Sequence, residues 1–360
     1  SVAVPEIPAA PPIAASMRPA TSPRSAPPRR TLPFATAARG RRYAIVMTVL
    51  VALAVAVAAG ILAWENPMPL GSDGFWRIAQ LRVTSLIVIV VVAFCQGIAT
   101  IAFQTVTANR IVTPSLLGFE SLYTAISTAA IFFFGVSGAL AVQGVGAYLA
   151  QVAVMLLFSG ILYGWLLSGR RANVQIMLLV GIILGGALAA FSTFLQRLLT
   201  PTEFDLLTAR LIGSVANADA TYLPIAIPLA AIAVVALMWG ARRLDVLALG
   251  RPVALGLGSP HRRDAILTLL AVSVLMAVST SLIGPMTFFG FLVAMLTYQL
   301  ADTYSHRRMF AMAWLVGFVV LGGAYVVLKH VFYAAGSVGI IVEIVGGTFF
   351  LVFLLRKGRL

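Results

Sequence analysis

Apolar residues run along this chain in long blocks separated by short polar stretches. An α-helix needs about 20 consecutive apolar residues to cross the hydrocarbon layer of a bilayer. Ten segments are predicted on that basis: 43–64, 81–106, 115–135, 140–168, 173–199, 221–240, 262–283, 286–301, 308–328 and 336–355. The eighth is short. It opens after Gly284-Pro285 and closes at Asp302, and the Gly-Pro pair marks a break that could leave the seventh and eighth as one kinked unit. The fold class is thus an all-α polytopic membrane protein of about ten transmembrane helices. Small residues recur within the spans at Gly181, Gly185, Gly186, Gly322, Gly323, Gly346 and Gly347. Such positions let helix backbones approach closely.

Residues 1–40 are rich in Pro, Ala, Ser and Arg and carry no periodic apolar pattern. They read as a disordered cytoplasmic tail, with the membrane domain in 41–360. They do not read as a signal peptide, because the arginines are spread out and the following apolar run is too long for an h-region.

Composition agrees: 61% of the 360 residues are hydrophobic and 10% charged, against about 25% charged in soluble domains. A net charge of +14 would suggest nucleic acid in a soluble chain. Here the basic residues sit in short runs between apolar segments, as orientation signals do, so no nucleic-acid partner is expected. With the N-terminus inside and ten spans, all but five of the 25 basic residues fall on the inner side; the five are Arg77, Arg82, Arg197, Arg210 and Lys329. Both termini are then cytoplasmic. The inner set includes Arg18, Arg24, Arg29, Arg30, Arg170, Arg171, Arg242, Arg243, Arg307, Arg308 and Arg359.

Catalytic signatures are missing. There is no HExxH, no GxSxG and no carboxylate cluster, and no segment repeats as a channel filter would. The lone Cys95 and the separated His261, His306 and His330 offer no metal-ligand spacing. Neither lysine, Lys329 or Lys357, fits a phosphate loop, so the chain cannot hydrolyse ATP through a Walker motif of its own. The intramembrane acids Glu120, Asp302 and Glu343 are candidates for ion coupling. Of these only Glu343 is clearly within a span, with no evident partner, and a buried carboxylate hydrogen-bonded between helices is the better reading.

At residues 93–126 the sequence reads AFCQGIATIAFQTVTANRIVTPSLLGFESLYTAI. This resembles the FecCD-type permeases of type II ABC importers, which take up iron–siderophores, haem and vitamin B12. Their pattern is a small-residue helix ending in Gln, then a loop N-P-L-A-x-P-x-x-L-G; Gln104, Asn109, Pro114, Leu117 and Gly118 match it. The wording of the loop is similar to one ferric-siderophore branch, whose members pair with a second, different permease. LIGSVANADATYLP at 211–224 resembles the outer loop before the sixth helix. RRLDVLALGRPVALGLGSPHRR at 242–263 resembles the family's coupling segment through Leu244, Leu247, Leu249, Gly250, Ala254, Leu257 and Gly258, with Asp245 among them. It is expected to form an amphipathic helix at the membrane surface that docks into an ATPase. SHRRMF at 305–310 resembles the family's D-H-R loop. The last helix lacks the family's Glu and first Pro, with Ala335 and Ser337 in their place.

The resemblance implies a machine in the bacterial cytoplasmic membrane. Its parts would be two permeases, unlike each other as the branch implies, two cytoplasmic ATPases carrying ATP and magnesium, and an extracytoplasmic binding protein that delivers a ferric siderophore. No cofactor is expected in this chain. The cavity would be lined by segments 81–106 and 173–199 and by about 200–215. Arg82 falls on the first Arg of the family's R-x-x-R docking pair, the second is Ser85, and Lys329 lies near a third family Arg; Arg77 and Arg210 are further candidates for binding-protein docking. Haem or cobalamin import is the alternative within the class, and an ion-coupled secondary transporter using Glu343 the alternative outside it.

Overall fold

A computed structural model describes residues 34, 36–64, 67–69, 71–141, 144–168, 174–212, 214–215, 218–332 and 337–357. Residues 1–33 of the expected tail, together with Arg170, Arg171, Ala335 and Arg359, lie outside the described residues. Every regular element among the described residues is helical: α1 (Ala37–Ala63), α2 (Asp73–Val106), α3 (Phe119–Ala141), α4 (Val145–Ser168), α5 (Val174–Gln196), α6 (Pro201–Leu211), α7 (Leu223–Trp239), α8 (Ala241–Leu247), α9 (Arg251–Gly256), α10 (His261–Ile283), α11 (Phe289–Ala301), α12 (His306–His330) and α13 (Val338–Lys357). Eight helices are long and apolar enough to cross a membrane, and the start of α3 and the whole of α11 are shorter apolar helices. These ten fall on the ten predicted segments.

Helix α2 is the hub. It starts eight residues before the predicted 81, because Ser72 caps it by accepting from Phe75 N–H at 3.2 Å. Its first turns expose Trp76, Arg77 and Leu81, whereas nearly all of Val88–Val106 is buried against α1, α7, α10, α11 and α12. The Cys95 thiol is part of that core.

After α2 the chain turns back into the bundle. Pro114–Leu117 form one 3-10 turn that ends at Gly118, whose φ of 92° lies in the left-handed region. A Cβ at Gly118 would sit 3.1 Å from the Cα of Gly185, and the Leu117 side chain fills the space over Gly181. Gly181 and Gly185 lie two and three turns into α5, so the segment reaches about 10–17 Å along that helix. Gly181 and Gly185 of α5 thus serve packing, as do Gly322 against Val57 of α1 and Gly346 against Phe288, whereas Gly186 faces open space.

The seventh and eighth spans are separate helices. α10 ends at Gly284, φ 92°, and α11 begins only at Phe289. With 13 residues, α11 is about 20 Å long, short of the about 30 Å hydrocarbon layer. Its start packs on α2: a Cβ at Gly290 would meet the Thr100 hydroxyl and approach Gln96. The break at 284–288 is therefore flanked by the buried half of α2.

The segment expected to form one surface helix forms two. α8 stops after Leu247, Gly250 turns the chain at φ 89°, and Pro252 stands in the first turn of α9. Contacts gather the basic residues around this segment. Arg39 pairs with Asp302 at 3.3 Å, the Tyr43 hydroxyl donates to Arg308 O at 3.0 Å, and the Arg110 guanidinium lies 4.6 Å over Tyr298. The start of α1, the end of α2 and the start of α12 thus share one end with α8 and α9. Trp64, Arg82 and Lys329 mark the other.

Candidate functional site

The α8–α9 segment divides its motif residues between two jobs. Leu244, Leu247 and Ala254 are buried and hold the segment on the bundle. Leu249 and Leu257, 56% and 64% exposed, project from it together with Val253 and Leu255. Gly250 and Gly258 take positive φ and form the turns. Asp245 points inward to His306 on α12. The segment is tied to α10 as well: Arg243 pairs with the buried Asp264 at 3.1 Å, and the Ser259 hydroxyl donates to the same carboxylate at 3.0 Å. The result is a fixed platform with an apolar outer surface rimmed by Arg242, Arg251 and Arg263, all exposed.

In the loop motif, Gln104 is buried and its amide donates to Arg110 O at 2.8 Å, closing the turn. The Asn109 side chain accepts from Ile111 N–H at 2.9 Å, an Asx turn. Pro114, Leu117 and Gly118 then carry the chain onto α5. All five residues act together on one backbone path.

Two acids overlooked as partners meet at the α10–α11 break. Glu120, on the first turn of α3, accepts from Met286 N–H at 3.0 Å and from the Thr287 hydroxyl. Glu343, on α13, accepts from Phe288 N–H at 3.2 Å. Irregular backbone away from water needs such acceptors, and the start of a helix favours negative charge. The signal was present in the sequence as Gly-Pro-Met-Thr between two apolar runs, where free N–H groups must find partners. Glu343 has therefore a structural employment between helices.

At the opposite end, the structure brings Arg82 and Lys329 into one neighbourhood. Arg82 donates to Trp64 O at 2.7 Å, and the Trp64 ring lies 6.0 Å from His330. Lys329 contacts Tyr325, whose hydroxyl donates to Ser85 Oγ at 3.4 Å. Arg77 is exposed nearby on the first turns of α2. Arg210 belongs elsewhere, on α6, which packs against α3.

Of the segments expected to line a path, α5 presents a broad exposed face that includes Ile182, Ile183, Gly186 and Ala187. α2 offers such a face only in its first turns. The stretch after α5 holds a helix the sequence reading left out, α6, closed by a capping box of Thr200 and Glu203. Backbone and hydroxyl donors of Thr200 hold the Glu203 carboxyl below the usual carboxylate range.

The sequence model of the FecCD transport family matches residues 44–356. The chain is 48% identical to the petrobactin import system permease protein FatC of Bacillus anthracis, over 91% of this chain and 92% of that protein. It is 32% identical to the petrobactin import system permease protein YclO of Bacillus subtilis, over 77% and 88%. A solved inward-facing structure of a metal-chelate type ABC transporter superposes with a TM-score of 0.72 at 20% identity, covering 87% of this chain and 99% of that one.

Proposed function

The chain belongs to the FecCD transport family, and from that premise we propose that it is the permease subunit of an ATP-binding cassette importer carrying a ferric siderophore across the bacterial cytoplasmic membrane. The observation that carries this reading is the 48% identity to a petrobactin permease along nearly the whole of both chains. Relatedness to a vitamin B12 permease is weaker, at 24% identity, so the siderophore is preferred to cobalamin. The employment of Glu343 in holding Phe288 N–H argues against an ion-coupled carrier built on that residue.

In this reading the end rich in arginine faces the cytoplasm. The exposed leucines of α8–α9 seat an ATPase subunit, with Arg242, Arg251 and Arg263 at the rim. A second permease, different from this chain, completes the path along the exposed face of α5. An extracytoplasmic binding protein docks over Arg82, Arg77 and Lys329, with Arg210 at a separate point; charge pairs there orient the encounter. Energy comes from the partner ATPases, since this chain has no phosphate loop.

The test is uptake of radiolabelled ferric petrobactin by cells lacking the gene and by cells complemented with it. Deletion should abolish uptake, complementation should restore it, and depletion of ATP should stop it. Restoration of haem or cobalamin uptake instead, or uptake persisting on an ion gradient without ATP, would overturn the proposal.

A further inference from the structure

We infer that Asp245, His306 and Thr105 form a positioning relay that transmits displacement of the α8–α9 segment into the central helix α2; the inference rests on the importer reading above. Three helices distant in sequence meet at one imidazole. Asp245 Oδ1 lies 2.6 Å from His306 Nδ1, and His306 Nε2 lies 2.8 Å from Thr105 Oγ1. The carboxylate can only accept, so Nδ1–H donates to it. The Thr105 hydroxyl also lies 2.9 Å from Ile101 O of its own helix, which fixes its rotamer beside the ring. The ring thus lies within hydrogen-bond distance of both partners and bridges α8 to α2.

Asp245 has a second task. The residue before α12, Ser305, makes no side-chain cap bond, and Asp245 supplies one from another element by accepting from His306 N–H at 2.8 Å. A carboxylate is favoured at a helix start. The first turn of α12 is thus completed by the segment proposed to face the ATPase. His306 itself is 1% exposed and lies edge-on to Phe310, with ring centroids 5.8 Å apart. Water does not compete for the ring, and it cannot swing away.

Leu244 and Leu247 already bury α8 on the bundle. Apolar burial is non-directional and permits sliding; short, aimed hydrogen bonds do not. The other polar tethers, Arg243 and Ser259 to Asp264, lead to α10, and the first leaves the arginine 61% exposed. The buried tether leads to the last turn of α2, which packs against α1, α7, α10, α11 and α12. A push on α8 therefore reaches most of the bundle through Thr105.

The experiment uses the full complex of this permease with its partner permease, ATPases and binding protein in liposomes, measuring ATP hydrolysis and ferric petrobactin uptake separately. Thr105→Val keeps the volume and removes the hydroxyl. Its assembled complex should go on hydrolysing ATP while uptake per ATP falls about tenfold, within the range by which coupling positions act. Thr105→Ser should restore the ratio. Asp245→Ala, which also removes the α12 cap, should lower the ratio further. Wild-type uptake per ATP in Thr105→Val would overturn the relay. A lowered melting temperature, with hydrolysis and uptake reduced in equal proportion, would overturn it too by showing a structural role alone. A wild-type complex with no ATP-driven uptake would sink the importer reading instead.

Discussion

The helical path is interrupted in two contrasting places. Between α10 and α11 the break lies beside the buried half of α2, and the N–H groups of Met286 and Phe288 are each met by a carboxylate from a distant helix. Between α8 and α9 the break lies at the arginine-rich end, is made by Gly250 with Pro252 behind it, and leaves Leu249 and Val253 exposed around it. Inside the apolar layer an irregular backbone must be supplied with acceptors by the protein. At the wet end water can do this, so side chains there are released for contact with a partner. Acids thus mark the buried break, and apolar residues mark the exposed one.

The sharpest way to break this contrast is Glu120→Ala. It strands two donors, Met286 N–H and the Thr287 hydroxyl, in a buried site. At about 1–3 kcal/mol for each unsatisfied group, the loss should be about 4 kcal/mol, read by thermal or SDS unfolding of the purified protein. Glu120→Gln keeps one accepting oxygen and should lose about half as much. Glu343→Ala removes the acceptor facing Phe288 N–H, at a half-buried site, and should cost about 1 kcal/mol. Equal losses at positions 120 and 343 would show that burial does not set the demand for acceptors.

The ten apolar helices were legible because long apolar runs have one stable form in lipid. The division of residues 242–263 into two helices was legible too, in Gly250 and Pro252, but the amphipathic pattern across them suggested continuity. The capping box that starts α6 stands in the sequence as Thr-Pro-Thr-Glu. Hydropathy does not disclose it, because α6 is too short to be a span. What sequence could not give is pairing at long range. Glu120 meets residues more than 160 positions away, and Asp245 meets His306 across 61. Each of these residues lay in or beside a recognised motif, yet nothing local says which motifs touch.

The exposed break makes the opposite prediction. Leu257→Asp should change stability by less than about 0.5 kcal/mol, as surface substitutions do, because that side chain is 64% exposed. Association with the ATPase should weaken nonetheless, since a charge would then enter an apolar contact. Co-purification of tagged permease with its ATPase checks this, with Leu244→Asp as the contrast: Leu244 is buried, so that change should unfold the segment. Undiminished co-purification of Leu257→Asp would remove α9 from the docking surface.

The smallest effect is expected at the exposed capping box that opens α6. Thr200 N–H donates to Glu203 Oε2 at 2.9 Å, and the Thr200 hydroxyl donates to the same oxygen at 2.8 Å. These bonds favour the charged carboxylate and lower its pKa. A lowered folded-state pKa gives stabilisation that is present above the ordinary carboxylate range and is lost as pH falls through the lowered value. Acidification should therefore fray the start of α6, visible as lower amide protection factors, relative to the intrinsic rate at each pH, over residues 202–205, while the core of α2 stays protected. Glu203→Gln should abolish the pH dependence of that protection but keep an accepting oxygen for Thr200 N–H. Solvent reaches this cap and screens it, so the change should remain confined to α6, whereas losing Glu120 should be felt across the whole bundle.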